Sequence, residues 1–154
     1  MSYDSWRTYT EDPDRLLLHG TAVTVGVRGL LILGPSGSGK SRLALKMIAL
    51  GANLVSDDRV WLNKIGTGFE LQAPEQIRGR IEARGLGLLA SKYKTPVPLS
   101  YCLDLSLENK VRLPHVSEKT KLGVKVSILP GKPIVPQAAA LMVLLKNGFA
   151  SYDK

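Results

Sequence analysis

Residues Gly34-Pro35-Ser36-Gly37-Ser38-Gly39-Lys40-Ser41 match the pattern G-x-x-x-x-G-K-S in full. This run constrains the fold because it works only at the junction of a strand and a helix. Both neighbours are legible. Gly29 to Leu33 is an apolar run of strand length. After the loop, Leu43, Ala44, Met47, Ile48 and Leu50 recur at helical spacing, and Gly51 is a natural helix stop. At such a junction backbone N–H groups point at a bound anion, and the helix dipole adds partial positive charge. Lys40 then reaches the outer phosphates of a nucleotide, and the Ser41 hydroxyl sits on Mg²⁺. A chance glycine-rich turn would lack these flanks.

At 154 residues the chain reads as one domain, with its compact core expected over about residues 15–148. Hydrophobic content of 44% and charged content of 22% fit a globular protein that stays in water. The start, Met1 to Asp14, is polar and carries acids, unlike a secretory leader. The apolar stretches around Leu30 and Leu141 are too short to span a bilayer. Cys102 stands alone, which excludes a disulfide framework or a cysteine metal cluster. A reduced, cytoplasmic setting without a membrane partner is expected. The net charge of +8 comes from 21 basic and 13 acidic residues. The basic residues are scattered, without interleaved aromatics or a nucleic-acid motif, so a solvated basic surface is expected rather than specific nucleic-acid binding.

The rest of the chain reads as strands with few helices. Met1 to Pro13 looks like a polar lead-in. Strands are expected at Leu16–His19, Thr21–Val27, Asn53–Ser56, Phe69–Gln72, Tyr101–Leu107 and Val124–Leu129. Arg28-Gly29 turns the second of these into the strand before the loop. Val60 to Asn63 continues the Asn53 strand past Asp57-Asp58. Pro74 to Arg78 is a turn or short helix, and Ile81 to Leu89 is punctuated by glycine. Pro96 and Pro98 mark a loop, as does Pro130 to Pro136, before a last helix at Gln137–Lys146. Phosphate-loop proteins normally alternate strands and helices, so the excess of strands is unusual. The acidic pair follows Ser41 closely, at the end of an apolar strand where a metal-organising carboxylate belongs.

Four elements stand together: His19-Gly20, the loop, Leu54-Val55-Ser56-Asp57-Asp58-Arg59, and Ile81-Glu82-Ala83-Arg84-Gly85-Leu86-Gly87-Leu88. Together they resemble the catalytic C-terminal domain of HPr kinase/phosphorylase, in a short form like that of certain Gram-negative bacteria. The likeness is close from His19 to Leu89 and weaker beyond. It implies an α/β fold, β-rich with mixed sheets and few helices, related to phosphoenolpyruvate carboxykinase. It also implies ATP-dependent phosphorylation of a serine on the phosphocarrier HPr or a paralogue. The reverse reaction with phosphate, releasing pyrophosphate, and a homohexamer are implied as well. The N-terminal domain of longer members is expected to be missing, since little precedes His19.

A seryl hydroxyl needs a base as its bond to phosphorus forms. Asp57 and Asp58 can supply one. On a continuing strand they point to opposite sides, so one orients the hydroxyl and the other the metal or His19. Position in the family motif favours Asp58 as base and places His19 near the phosphates. Glu82 offers a hard oxygen to Mg²⁺ beside Ser41, and Arg84 a fork for phosphate. Arg112 matches a family arginine through a short Arg-Leu context. The resemblance also implies a basic loop near here that serves dephosphorylation, for which Lys132, between Gly131 and Pro133, is the candidate. His115 has no matching motif and reads as a loop residue. Two other readings stand beside this one. A small-molecule kinase would need an arginine-rich lid, which is not evident. A non-catalytic ATP-binding sensor would need Lys40 but not Asp58.

Overall fold

The computed structural model describes residues 3–114, 116–132 and 138–151. Twelve strands and two α-helices run along these residues. The strands are β1 (Thr8–Asp12), β2 (Arg15–His19), β3 (Thr21–Val25), β4 (Arg28–Leu33), β5 (Asn53–Ser56), β6 (Arg59–Ile65), β7 (Gly68–Gln72), β8 (Arg80–Ala83), β9 (Gly87–Ala90), β10 (Val97–Glu108), β11 (Ser117–Lys121) and β12 (Val124–Lys132). The helices are α1 (Lys40–Ala49) and α2 (Ala138–Asn147), and a 3₁₀ turn covers Glu75–Ile77.

β1, β2, β6 and β7 pair in that order, all antiparallel. β5, β3, β4, β10, β12 and β11 form a second run, in which β4–β10 and β10–β12 are parallel. β10 joins the two runs. Val97 and Pro98 pair with β7, and from Leu99 onward the strand pairs with β4. The result is mixed and strand-rich, as expected of the fold class.

The strand before the loop is a continuous apolar run because both its faces are buried. Leu31 and Leu33 join Leu16, Leu18, Leu62 and Leu71 in a core between the two runs of strands. Leu30 and Ile32 face the other way, into a core with Leu43 and Met47 of α1 and Leu141 and Leu145 of α2. The phosphate loop therefore hangs from a strand fixed on both sides. Gly29 is the second residue of that strand and pairs with Leu99 of β10. A Cβ there would stand 2.5 Å from the Pro98 carbonyl oxygen. Gly29→Ala is expected to cost about 1–3 kcal/mol, the scale of overpacking, seen as a lower urea midpoint with an unchanged slope.

Several expectations need correction. The lead-in is no mere lead-in: Thr8–Asp12 form β1, exposed along most of its length and held by backbone pairing to β2. The turn between β3 and β4 lies at Gly26-Val27, not at Arg28-Gly29. β6 does not continue β5. β5 pairs with β3, β6 pairs with β2, and the chain crosses between them at Asp57-Asp58, where Asp58 takes φ +76°. Pro98 lies inside β10, near its start, where a missing N–H is tolerated. Pro130 and Lys132 belong to β12 rather than to a loop. β11 was not expected. His115 and the stretch Pro133 to Gln137 lie outside the described residues. Among the described residues no helix is long and apolar enough to cross a membrane.

Candidate active site

The loop turns sharply enough only because glycine occupies its left-handed positions: Gly37 has φ +84° and Gly39 φ +101°. Gly39 then caps α1, which has no acidic residue in its first turn and no side-chain cap. The helix start is thus left to an anion. Lys40, the first helical residue, is buried. Its Nζ donates to the Gly34 carbonyl at 2.7 Å and to the Pro35 carbonyl at 3.1 Å. Burial lowers the Lys40 pKa, and the negative charges of Asp57 and Asp58 oppose that shift.

The two acids occupy different environments. Asp57, just past β5, is buried and receives three hydrogen bonds. Thr21 Oγ1 donates to its Oδ1 at 2.9 Å, Ser41 Oγ to the same oxygen at 2.7 Å, and the Glu82 backbone N–H to Oδ2 at 3.1 Å. Its carboxylate is therefore tied to the loop and to the β8–β9 hairpin at once. Asp58 has a side chain 66% exposed. Its Oδ1 stands 3.4 Å from His19 Nε2 and its Oδ2 3.7 Å from Arg59 Nε. Such a carboxylate is accessible from the cleft. Asp57 is shaped to orient Ser41.

An open cleft of about 770 Å³ lies between the loop, these acids and the β8–β9 hairpin. His19, Ser36, Gly37, Ser38, Gly39, Lys40, Ser41, Asp57, Asp58, Glu82 and Arg84 all line it. Gly34 and Pro35 stand behind, as the carbonyls that receive Lys40. Arg112 and Lys132 are not among its lining residues. Arg112 is exposed in the bend after β10, and exposed Lys132 ends β12, its carbonyl accepting the Asn109 N–H. Three polar lining residues were not foreseen: Thr21, Arg42 and Arg80. Arg80 was within reach, because it lies two residues from Glu82 in one strand and so shares its face. Thr21 gave a weaker signal, a hydroxyl at the start of a mostly apolar strand.

Among the described residues no three His, Cys, Asp or Glu side chains gather as a self-sufficient metal site. The donors present are hard oxygens, the Ser41 hydroxyl and the Glu82 carboxylate. They fit Mg²⁺, which takes few protein ligands and completes its shell with water and substrate phosphates.

The model of the HPr Serine kinase C-terminal domain family matches residues 13–93. The chain belongs to this family. The matched segment contains the loop, both acids and the β8–β9 hairpin, so the cleft lies within the family's domain. Among relatives, the HPr kinase/phosphorylase of Aromatoleum aromaticum is 37% identical over 166 residues, covering 96% of this chain and 52% of the relative. That of Caldanaerobacter subterraneus is 46% identical over 79 residues, covering 51% of this chain and 26% of the relative. The chain thus spans about half or less of these family members. The solved structure of the HPr(Ser) kinase/phosphatase from Coxiella burnetii superposes with a TM-score of 0.69 at 23% identity, over 85% of this chain and 88% of that one. The two share a fold.

Proposed function

We propose that this chain transfers the terminal phosphoryl group of ATP to a seryl hydroxyl of an HPr-type phosphocarrier protein. The observation that carries the reading is the contrast between Asp57, tied to the loop serine, and Asp58, open to the cleft, beside the buried Lys40. The loop amides and Lys40 hold the phosphates. Ser41, oriented by Asp57, and Glu82 hold Mg²⁺, which when bound neutralises phosphate charge. Asp58 accepts the seryl proton as oxygen bonds to phosphorus, and His19 orients it. Arg84 at the hairpin meets a phosphate with its fork. In the reverse direction inorganic phosphate attacks phosphoserine. The phosphoryl group leaves as pyrophosphate, and the seryl oxygen recovers its proton from Asp58.

Assembly is part of the proposal. A closed homo-oligomer, of six copies in the family pattern, gives Arg112 and Lys132 a route to a neighbouring copy's cleft that they lack within one chain. A cytoplasmic location accords with the single, buried, unpaired Cys102.

The test is incubation with ATP, Mg²⁺ and HPr, and separately with its nitrogen-branch paralogue, read by mass spectrometry for phosphoserine. Transfer to one of them is expected, lost with chelator and restored by Mg²⁺ or Mn²⁺. ATP binding without transfer to either carrier would favour the sensor reading. Transfer to a sugar or nucleotide instead would favour the small-molecule kinase.

A further inference from the structure

The carboxylate of Asp58 is placed by residues from two strands, and a third strand backs them. β2 and β6 run antiparallel and set His19 directly opposite Arg59. Asp58 immediately precedes Arg59, so its two oxygens fall between this cross-strand pair, one toward each partner. Neither contact is short, and the Asp58 and Arg59 side chains are more than half exposed. Contacts of that kind constrain little by themselves.

Tyr9 supplies a further constraint. It lies in β1 where the register with β2 shifts between Thr8 and Thr10, the kind of irregularity that re-aims a side chain. The Arg59 guanidinium carbon stands 5.0 Å from the centre of the Tyr9 ring. The His19 ring lies 6.3 Å from it, tilted by 55°. One aromatic ring therefore touches both partners of Asp58, through a cation–π contact and a tilted ring contact. Tyr9 is itself 54% exposed, so burial does not account for its position. It also precedes residue 13, where the family match begins.

We propose that Tyr9 is a positioning residue that holds His19 and Arg59 in the geometry that aims the Asp58 carboxylate into the cleft. The proposal rests on Asp58 being the base of the reaction proposed above. The ring does the work and the hydroxyl does not. Tyr9→Phe should therefore behave as the unaltered protein, while Tyr9→Leu should not.

The test combines steady-state phosphorylation of the carrier with proton–nitrogen spectra of the imidazoles, His115→Gln serving to assign His19. Tyr9→Leu is expected to lower kcat by about tenfold, the size of one or two such contacts, with KM for ATP unchanged. The His19 ring signals should move in the same variant, and Tyr9→Phe should restore both. Unchanged kcat and His19 signals in Tyr9→Leu would overturn the proposal. So would parallel losses in ATP affinity and melting temperature, since Tyr9 would then only hold an edge strand in place. Should the unaltered protein transfer nothing to a carrier, the functional reading falls, and the His19 signals alone decide whether Tyr9 holds the imidazole.

Discussion

Replacing Lys40 by alanine is expected to abolish measurable phosphoryl transfer and to weaken ATP binding sharply. Two losses combine. The ammonium group is a buried cation held at the loop, and removing a preorganised charge of that kind costs about 10²–10³-fold in rate. Lys40 also ties the loop to itself through the Gly34 and Pro35 carbonyls. Without it those carbonyls face incoming phosphate oxygens unmasked, and like partial charges repel. The helix itself should survive, since alanine is the best helix former. Calorimetric titration with ATP, run beside a thermal melt, separates loss of binding from loss of fold. Near-normal turnover in a well-folded Lys40→Ala protein would remove the assignment of this cleft as the active site.

Legibility in the sequence followed burial. β4, β5 and α1 could be read because their residues pack on the core and so carry the apolar pattern of their surroundings. β1 and β11 could not. Both are edge strands, exposed along most of their length, and held mainly by backbone pairing that leaves no mark on side-chain choice. The course of β10 was hidden for another reason. Pro96 and Pro98 are loop signals, yet Pro98 sits at the strand's beginning, where one ladder hydrogen bond can be missed.

The candidate site divides along the same line. The loop motif carries its own geometry, and the structure gathers His19, both acids, Glu82 and Arg84 around it. The difference between Asp57 and Asp58 could not be read, because neighbouring positions in one short run look alike. It arises from Thr21, 36 residues before Asp57, and from the Glu82 backbone, 25 residues after it. It arises also from the left-handed φ of Asp58, which breaks the strand alternation assumed from the sequence. Tyr9 was invisible for want of any expected strand to carry it.

That contrast sets the second large effect. Asp58→Asn keeps the shape of the side chain and removes the proton acceptor. Taking the proton from serine and returning it during phosphorolysis are one step run in two directions. Both rates should therefore fall by about 10²-fold or more, the scale of a lost general base. Stability and ATP affinity should hold, because the Asp58 side chain is 66% exposed and touches neither Lys40 nor Ser41 through a hydrogen bond. Asp57→Asn should behave differently. Its carboxylate accepts from Thr21, Ser41 and the Glu82 N–H; in asparagine the amide nitrogen either opposes the Glu82 N–H or, turned the other way, forces the Thr21 and Ser41 hydroxyls to accept instead of donate. A buried mismatch of that kind costs about 1–3 kcal/mol, so Asp57→Asn should lower the melting temperature and loosen Ser41. ATP should then bind more weakly when Mg²⁺ is present. Measuring both directions and ATP affinity in the two variants separates a base from an orienting group. If Asp58→Asn left seryl transfer intact and Asp57→Asn removed it, the two carboxylates would exchange roles. The base would then be the buried one, reached by serine only after the Thr21 and Ser41 hydroxyls let go.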